Sequence, residues 1–211
     1  MRIEDQIKAI KENNKPVSNF PLFYQERLRD FPVYEVDINL LRFNVHNGRI
    51  GSEALEYSKA EKAESIEEMD VNEANNLIAS WLWAKSEAKN KVTLKDIEQK
   101  TQIKPGVITS DGIIVDGNRR FMLIRRLNES GKNIKFKTII LDESYSDGGN
   151  TERDIKMLEA QLQFGEDEKV EYGPIEKYLR VKDFVEKYID VRSPPMNYNQ
   201  LTKIMKFKYF F

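Results

Sequence analysis

The sequence predicts an α+β fold: a small mixed sheet with surrounding helices, extended by a C-terminal helical segment. Three observations predict it. Tyr34, Val36, Ile38 and Leu40 alternate with polar residues, the period of a half-buried strand. The stretch from Ser52 to Glu98 reads mainly as helix, with Leu77, Trp81 and Ala84 spaced to share one face. Between Val107 and Leu127 a short hairpin runs through a glycine turn directly into a helical period.

The elements follow in order. Residues 1–33 read as an N-terminal helical arm, with Ile3, Ile7, Ile10 and then Tyr24, Leu28 at helical spacing and Pro16, Pro21 and Pro32 keeping each piece short. A core over residues 34–165 begins with the Tyr34 strand and continues into a turn-rich loop from Arg42 to Arg49, containing Asn44, His46, Asn47 and Gly48. Thr93 with Asp96 predicts a helix cap ahead of Ile97, and Pro105 closes the helical region. Val107-Ile108 and Ile113-Ile114-Val115 then flank the turn Thr109-Ser110-Asp111-Gly112. Asp116-Gly117-Asn118 ends that hairpin, and Phe121, Ile124 and Leu127 mark a helix that stops at Gly131. Phe136 to Leu141 is a further strand, and Thr151-Glu-Arg-Asp154 predicts a capping box for a helix through Leu162. Residues 166–211 read as a helical extension: one helix from Pro174 to Ile189, a break at Ser193-Pro194-Pro195, and a short amphipathic piece from Asn199 to Met205.

Composition narrows the function classes. The 211 residues carry 34 Lys+Arg against 35 Asp+Glu, one His and no Cys. Without cysteine there is no disulfide scaffold, thiolate zinc site, iron–sulfur cluster or thiol nucleophile, and a single imidazole rules out a histidine metal triad. The charged N-terminus and the lack of a long apolar run predict a cytoplasmic protein with no membrane contact. A net charge of −1 supplies no overall attraction to nucleic acid, so any phosphate contact depends on a local basic cluster.

That cluster is Asp116-Gly117-Asn118-Arg119-Arg120 at the strand-to-helix turn. A helix N-terminus offers unpaired N–H groups and a partial positive charge, a glycine lets backbone approach closely, and Arg119 or Arg120 can add a bidentate contact to phosphate. Asp116 is suited to a metal ion, a ribose hydroxyl or one of the arginines. The plainer reading has Asp116 capping the helix and the arginines solvated. Arg125 and Arg126 bring the count to four arginines in eight residues, and either can instead pair with Glu129. His46 reads as a polar loop residue, Trp81 and Trp83 as packing residues, and Glu166-Asp167-Glu168 as a solvated loop.

The string Asp111-Gly-Ile-Ile-Val-Asp-Gly-Asn-Arg-Arg-Phe-Met-Leu-Ile-Arg-Arg-Leu127 resembles the strand-turn-helix signature of the ParB/sulfiredoxin-like superfamily, the ParB N-terminal or ParB-like nuclease domain. Other segments follow in the family's order: Glu35 to Asn44 with Asn47 and Arg49, Ile97 to Pro105, Glu159-Ala-Gln-Leu-Gln163, and Gly173-Pro-Ile-Glu-Lys177. Together they cover roughly residues 33–190. The resemblance implies a ParB-like, DNA-associated protein that binds CTP or ATP with Mg²⁺ and acts as a nucleotide-dependent switch. It places phosphate and nucleotide contacts at Gly117, Asn118, Arg119, Arg120, Gln102, Lys104, Pro105, Asn44, Arg49 and Gln163. Catalytic roles fall to Glu159 and Asp116, with Glu159 as the metal ligand.

The chain also departs from the family pattern. Members that hydrolyse nucleotide carry Glu-Asn and then Arg on the second phosphate helix, where this chain has Glu159-Ala160 and then Gln163. Asn118 stands where the sulfiredoxin branch needs its cysteine, which excludes that chemistry. Asn199 to Met205 resembles the first helix of a helix-turn-helix, so the DNA-reading helix is expected beyond Phe211, and a homodimer is compatible with the family. Two alternatives stay open on the same residues: a phosphotransferase or nuclease on the same fold, serine-kinase-like or ParB-like, and a catalytically silent interaction module of a phage, plasmid or defence system.

Overall fold

The computed structural model describes residues 1–25, 27–45, 50–60, 66 and 68–165. Within them the chain forms six α-helices and one mixed six-stranded sheet. The helices are α1 (Ile3–Asn13), α2 (Gly51–Ala60), α3 (Val71–Ala84), α4 (Glu87–Lys100), α5 (Asn118–Glu129) and α6 (Gly149–Gly165). The strands are β1 (Ser18–Tyr24), β2 (Arg27–Val36), β3 (Arg42–Phe43), β4 (Gly106–Ile108), β5 (Ile113–Asp116) and β6 (Phe136–Ile140). They lie in the order β1-β2-β6-β4-β5-β3, with β3–β5 and β4–β6 parallel and the other neighbours antiparallel.

Alternation along the strands divides the core between the two sheet faces. Ile108, Ile114, Phe136 and Ile140 point to one face, where they bury Ile7 of α1, Ile78 of α3, Ile97 of α4 and Phe121 and Ile124 of α5. Val107, Val115, Ile139 and Leu141 point to the other and meet Ile155 and Leu158 of α6. Phe121 is the hinge of the first layer, edge-on to Phe43 at 4.8 Å and to Phe136 at 5.8 Å between ring centroids.

The first thirty residues differ from the sequence expectation. Ile3, Ile7 and Ile10 do lie on one helix, but Tyr24 and Leu28 belong to a β1–β2 hairpin that joins the sheet. Counting from the closing pair Tyr24↔Arg27, hydrogen-bonded pairs alternate with non-bonded ones, and Pro21↔Asp30 and Asn19↔Pro32 fall on the latter. Both proline nitrogens therefore face away from the hairpin ladder. Pro21 meets the open edge of β1, and Pro32 sits one residue before pairing with β6 begins at Val33↔Ile139. The Tyr34 strand ends at Val36, because Asp37 accepts from Asn39 N–H and turns Ile38–Leu40 into a 3-10 helix.

Two further corrections concern the helices. Thr93 lies inside α4 and bonds back to the Lys89 carbonyl; it caps nothing. The buried face of α3 is Ala74, Asn75, Ile78 and Leu82, rotated from the Leu77, Trp81, Ala84 face, and Ala84 is exposed. Helix α6 begins at Gly149, two residues ahead of the expected Thr151 cap. The 107–115 hairpin, the helix ending before Gly131 and the Phe136 strand stand where the sequence put them. Among the described residues no helix is long and apolar enough to cross a membrane. The expected helices at 174–189 and 199–205, with Glu166 to Glu168, lie outside the described residues.

Tyr24 is 3% exposed under α6. Burial, reinforced by the Glu143 and Asp154 carboxylates, raises its phenol well above the ordinary value of 10. Above pH 10 the unfolded chain loses this proton while the folded chain keeps it, so stability is present below that pH and falls as pH rises. The expected slope is up to about 1.4 kcal/mol per pH unit. Urea melts of wild type and Tyr24→Phe between pH 9 and 11.5 check this: wild type should lose stability relative to the variant as pH rises, and parallel curves would refute it.

Candidate functional site

The parallel β3–β5 seam carries the site. Arg42 pairs with Ile113 and Phe43 with Ile114, so the next residue, Asn44, comes level with the end of β5, where the chain turns at Gly117 into α5. Ligands of parallel strands collect at their carboxyl ends, and here two strand ends and one helix N-terminus converge.

The turn itself is enforced by packing. Gly117 is the α5 N-cap in the left-handed region, φ +96°, with no side-chain cap. A Cβ on it would lie 3.1 Å from Phe136 Cζ, 3.3 Å from Arg120 Nη2 and 3.3 Å from Gly106 Cα. Gly117 and Gly106 therefore stack bare backbone against the Phe136 ring. Asp116 does not cap the helix, and of its open roles the structure fills one: its carboxylate accepts from Arg120 Nη2 at 2.7 Å, and the same Nη2 donates to the Pro105 carbonyl at 3.4 Å. Arg120 thus ties the turn to the loop after α4.

Arg119 points the other way. Its Nε donates to Asn90 Oδ1 at 2.6 Å and its Nη2 to Thr93 Oγ1 at 3.3 Å, both on α4. Neither arginine is a freely solvated side chain; both are half-buried. Arg125 donates to Asn76 on α3 and lies over Phe43 and Phe121, and burial lowers its pKa against the pull of Glu129. The Arg126 guanidinium sits 3.8 Å above the Trp83 ring. Trp81 packs edge-on to Tyr57 at 5.9 Å, a packing role.

Asn118, the first residue of α5, is 4% exposed. Its Nδ2 donates to the Ile114 carbonyl at 3.3 Å, which sets the amide over the β3–β5 seam, and its Oδ1 is buried without a partner among the described residues. On the α6 side Asn44 Nδ2 donates to Glu159 Oε2 and to Tyr145 Oη, each at 3.1 Å, and the tyrosine hydroxyl stands 3.5 Å from the same carboxylate oxygen. Asn44 and Glu159 are both buried. The fold thus brings residues 44, 145 and 159, from three distant segments, into one polar cluster.

The other expected residues divide. Gln102 is 2% exposed; its Nε2 donates to the Lys104 and Lys137 carbonyls and its Oε1 accepts from Lys137 N–H. That amide splices the loop to β6 and leaves a nucleotide at most one acceptor lone pair. Lys104 and Pro105 are carried by this spliced loop. Gln163 lies on α6, but its side chain, like all of His46, Asn47, Gly48 and Arg49, falls outside the described residues.

Three participants escaped the sequence reading. Tyr145 stands in a polar loop with no periodic signal, Asn90 looks like a surface residue of a charged helix, and Thr93 reads as a helix cap. Three-residue spacing on α4 was the available sign that Asn90 and Thr93 share a face. No family model, curated protein or solved structure matches the chain.

Proposed function

We propose that this chain is a nucleotide-binding module of ParB/sulfiredoxin-like type, taking CTP or ATP with Mg²⁺ and serving as a nucleotide-dependent switch in a DNA-associated protein. The observation that carries the proposal is the buried Asn44–Glu159–Tyr145 cluster, whose Asn44 follows β3 beside the strand that runs into the α5 N-terminus, where Asn118 Oδ1 is buried without a partner among the described residues. A helix N-terminus with Arg119 in its first turn suits phosphate. A buried carboxylate and a buried amide oxygen suit a hard cation and sugar hydroxyls.

Among the described residues no three acidic, His or Cys side chains group around a common point. Mg²⁺ held through nucleotide phosphates needs only one or two protein carboxylates and completes its shell with phosphate oxygens and water. Glu159 fits that requirement, and the ion would neutralise phosphate charge. Asn44 and Tyr145 orient the Glu159 carboxylate, while Gly117 and the Asp116–Arg120 pair hold the turn. A switch needs two conformations with different nucleotide affinity. Gly148 before the helix bearing Glu159 and Gly149 at its first position, at φ +65° and +58° with open space around them, can let it pivot.

Thermal-shift and calorimetric titration with CTP, ATP, GTP and their diphosphates, with and without Mg²⁺, tests the proposal. One nucleotide at ten times its Kd should stabilise the protein by about 1.4 kcal/mol, a shift of a few degrees. Glu159→Gln should remove the Mg²⁺ dependence, and Arg119→Ala should weaken the response without abolishing it. Silence across the panel at millimolar nucleotide would reject the module and favour the interaction-surface alternative.

A further inference from the structure

Asn90 joins three helices through one amide. It is fully buried, and its Nδ2 donates to the Leu82 and Trp83 carbonyls, both at 3.0 Å, in the last turn of α3. The Trp83 carbonyl also takes the Ser86 N–H at 3.3 Å, so the amide acts as a C-terminal cap supplied from α4 above all to the Leu82 carbonyl. Its Oδ1 then accepts from Arg119 Nε at 2.6 Å. Thr93, one turn further along α4, accepts from Arg119 Nη2 at 3.3 Å while donating its own proton to the Lys89 carbonyl at 3.0 Å.

Two acceptors at two nitrogens fix a guanidinium in its plane as well as in position, which a single bond does not do. Such a grip sets the orientation of the fork, which a bidentate phosphate contact requires. The neighbouring Arg120 is occupied differently, by the Asp116 carboxylate and the Pro105 carbonyl, in a contact that shapes the turn.

We propose that Asn90 and Thr93 are positioning residues that orient Arg119 toward a polyphosphate, so that the α3–α4 corner registers occupancy of the site. The inference rests on the nucleotide reading above and adds to it which arginine meets the phosphates and what aims it. Because Asn90 also caps α3, its removal would disturb the fold, so Thr93 is the informative position. Thr93→Val keeps the shape and removes the hydroxyl, and Thr93→Ser restores it.

The experiment is a calorimetric double-mutant cycle on the full chain, with inorganic tripolyphosphate and the nucleoside triphosphate that stabilises wild type as probes. Thr93→Val should weaken both about tenfold, the scale of one lost hydrogen bond to a charged group. Thr93→Ser should recover most of the loss, and in an Arg119→Ala background Thr93→Val should change nothing further. Unaltered binding in Thr93→Val, or an equal loss with and without Arg119, overturns the proposal while leaving nucleotide binding standing. Absence of wild-type binding to every probe overturns both.

Discussion

Gly106→Ala is expected to destabilise the protein by about 3 kcal/mol or more. The added carbon would sit 2.5 and 2.6 Å from two atoms of the Phe136 ring and 2.8 Å from the Asp116 carbonyl oxygen. The ring cannot retreat, because it is fully buried edge-on to Phe121, and the carbonyl belongs to the strand that ends at the site. The backbone must move instead, carrying Gly117 and the start of α5 with it. Gly131→Ala is the control: it has φ +93° but nothing within 4 Å, so it should cost about 1 kcal/mol from backbone strain alone. Equilibrium urea unfolding of the two variants measures the difference. Wild-type stability in Gly106→Ala would mean that the glycine stack under the turn is not as tight as described.

Asn75→Ala should cost about 3 kcal/mol, although it deletes only a small polar side chain from a helix. Asn75 Oδ1 accepts from Phe43 N–H at 3.0 Å and its Nδ2 donates to the Leu41 carbonyl at 3.4 Å. The amide thereby satisfies the outer edge of β3 where another strand would otherwise pair. Removing it strands two backbone groups out of water, and an alanine helix propensity better by a few tenths of a kcal/mol does not offset that. Asn72→Ala on the exposed side of the same helix should stay within about 0.5 kcal/mol of wild type. A chemical-denaturation series comparing the two positions decides the matter; equal effects would remove the edge-satisfying role.

Much of the fold was legible because apolar spacing reports burial directly. Ile3, Ile7 and Ile10, the Val107 to Val115 hairpin, and Phe121, Ile124 and Leu127 all behave as their periods require. The β1–β2 hairpin was not legible, since its prolines read as chain breaks until the pairing register shows that each lacks an N–H only where none is needed. The face of α3 was misjudged for a related reason. An asparagine inside a helix looks solvent-facing, yet Asn75 is buried because the strand beside it needs an amide. At the site the turn from Asp116 to Arg120 announced itself as a motif, but the division of its two arginines between α4 and the turn depends on tertiary contacts far away in sequence. The Asn44–Glu159 bond spans 115 residues and leaves no local trace.

The position of β6 bears on how the chain assembles. Among the described residues it is the last strand to be made, yet it lies between β2 and β4 and pairs with both. Until residue 140 has left the ribosome, the first hairpin and the β4–β5 hairpin have nothing to join them. Late closure of a central strand places most of the ordering cost ahead of the long-range contacts that repay it, which slows folding. During synthesis β2 waits with an open, apolar flank, and Pro32 interrupts that flank at the point where a stray strand would begin to pair.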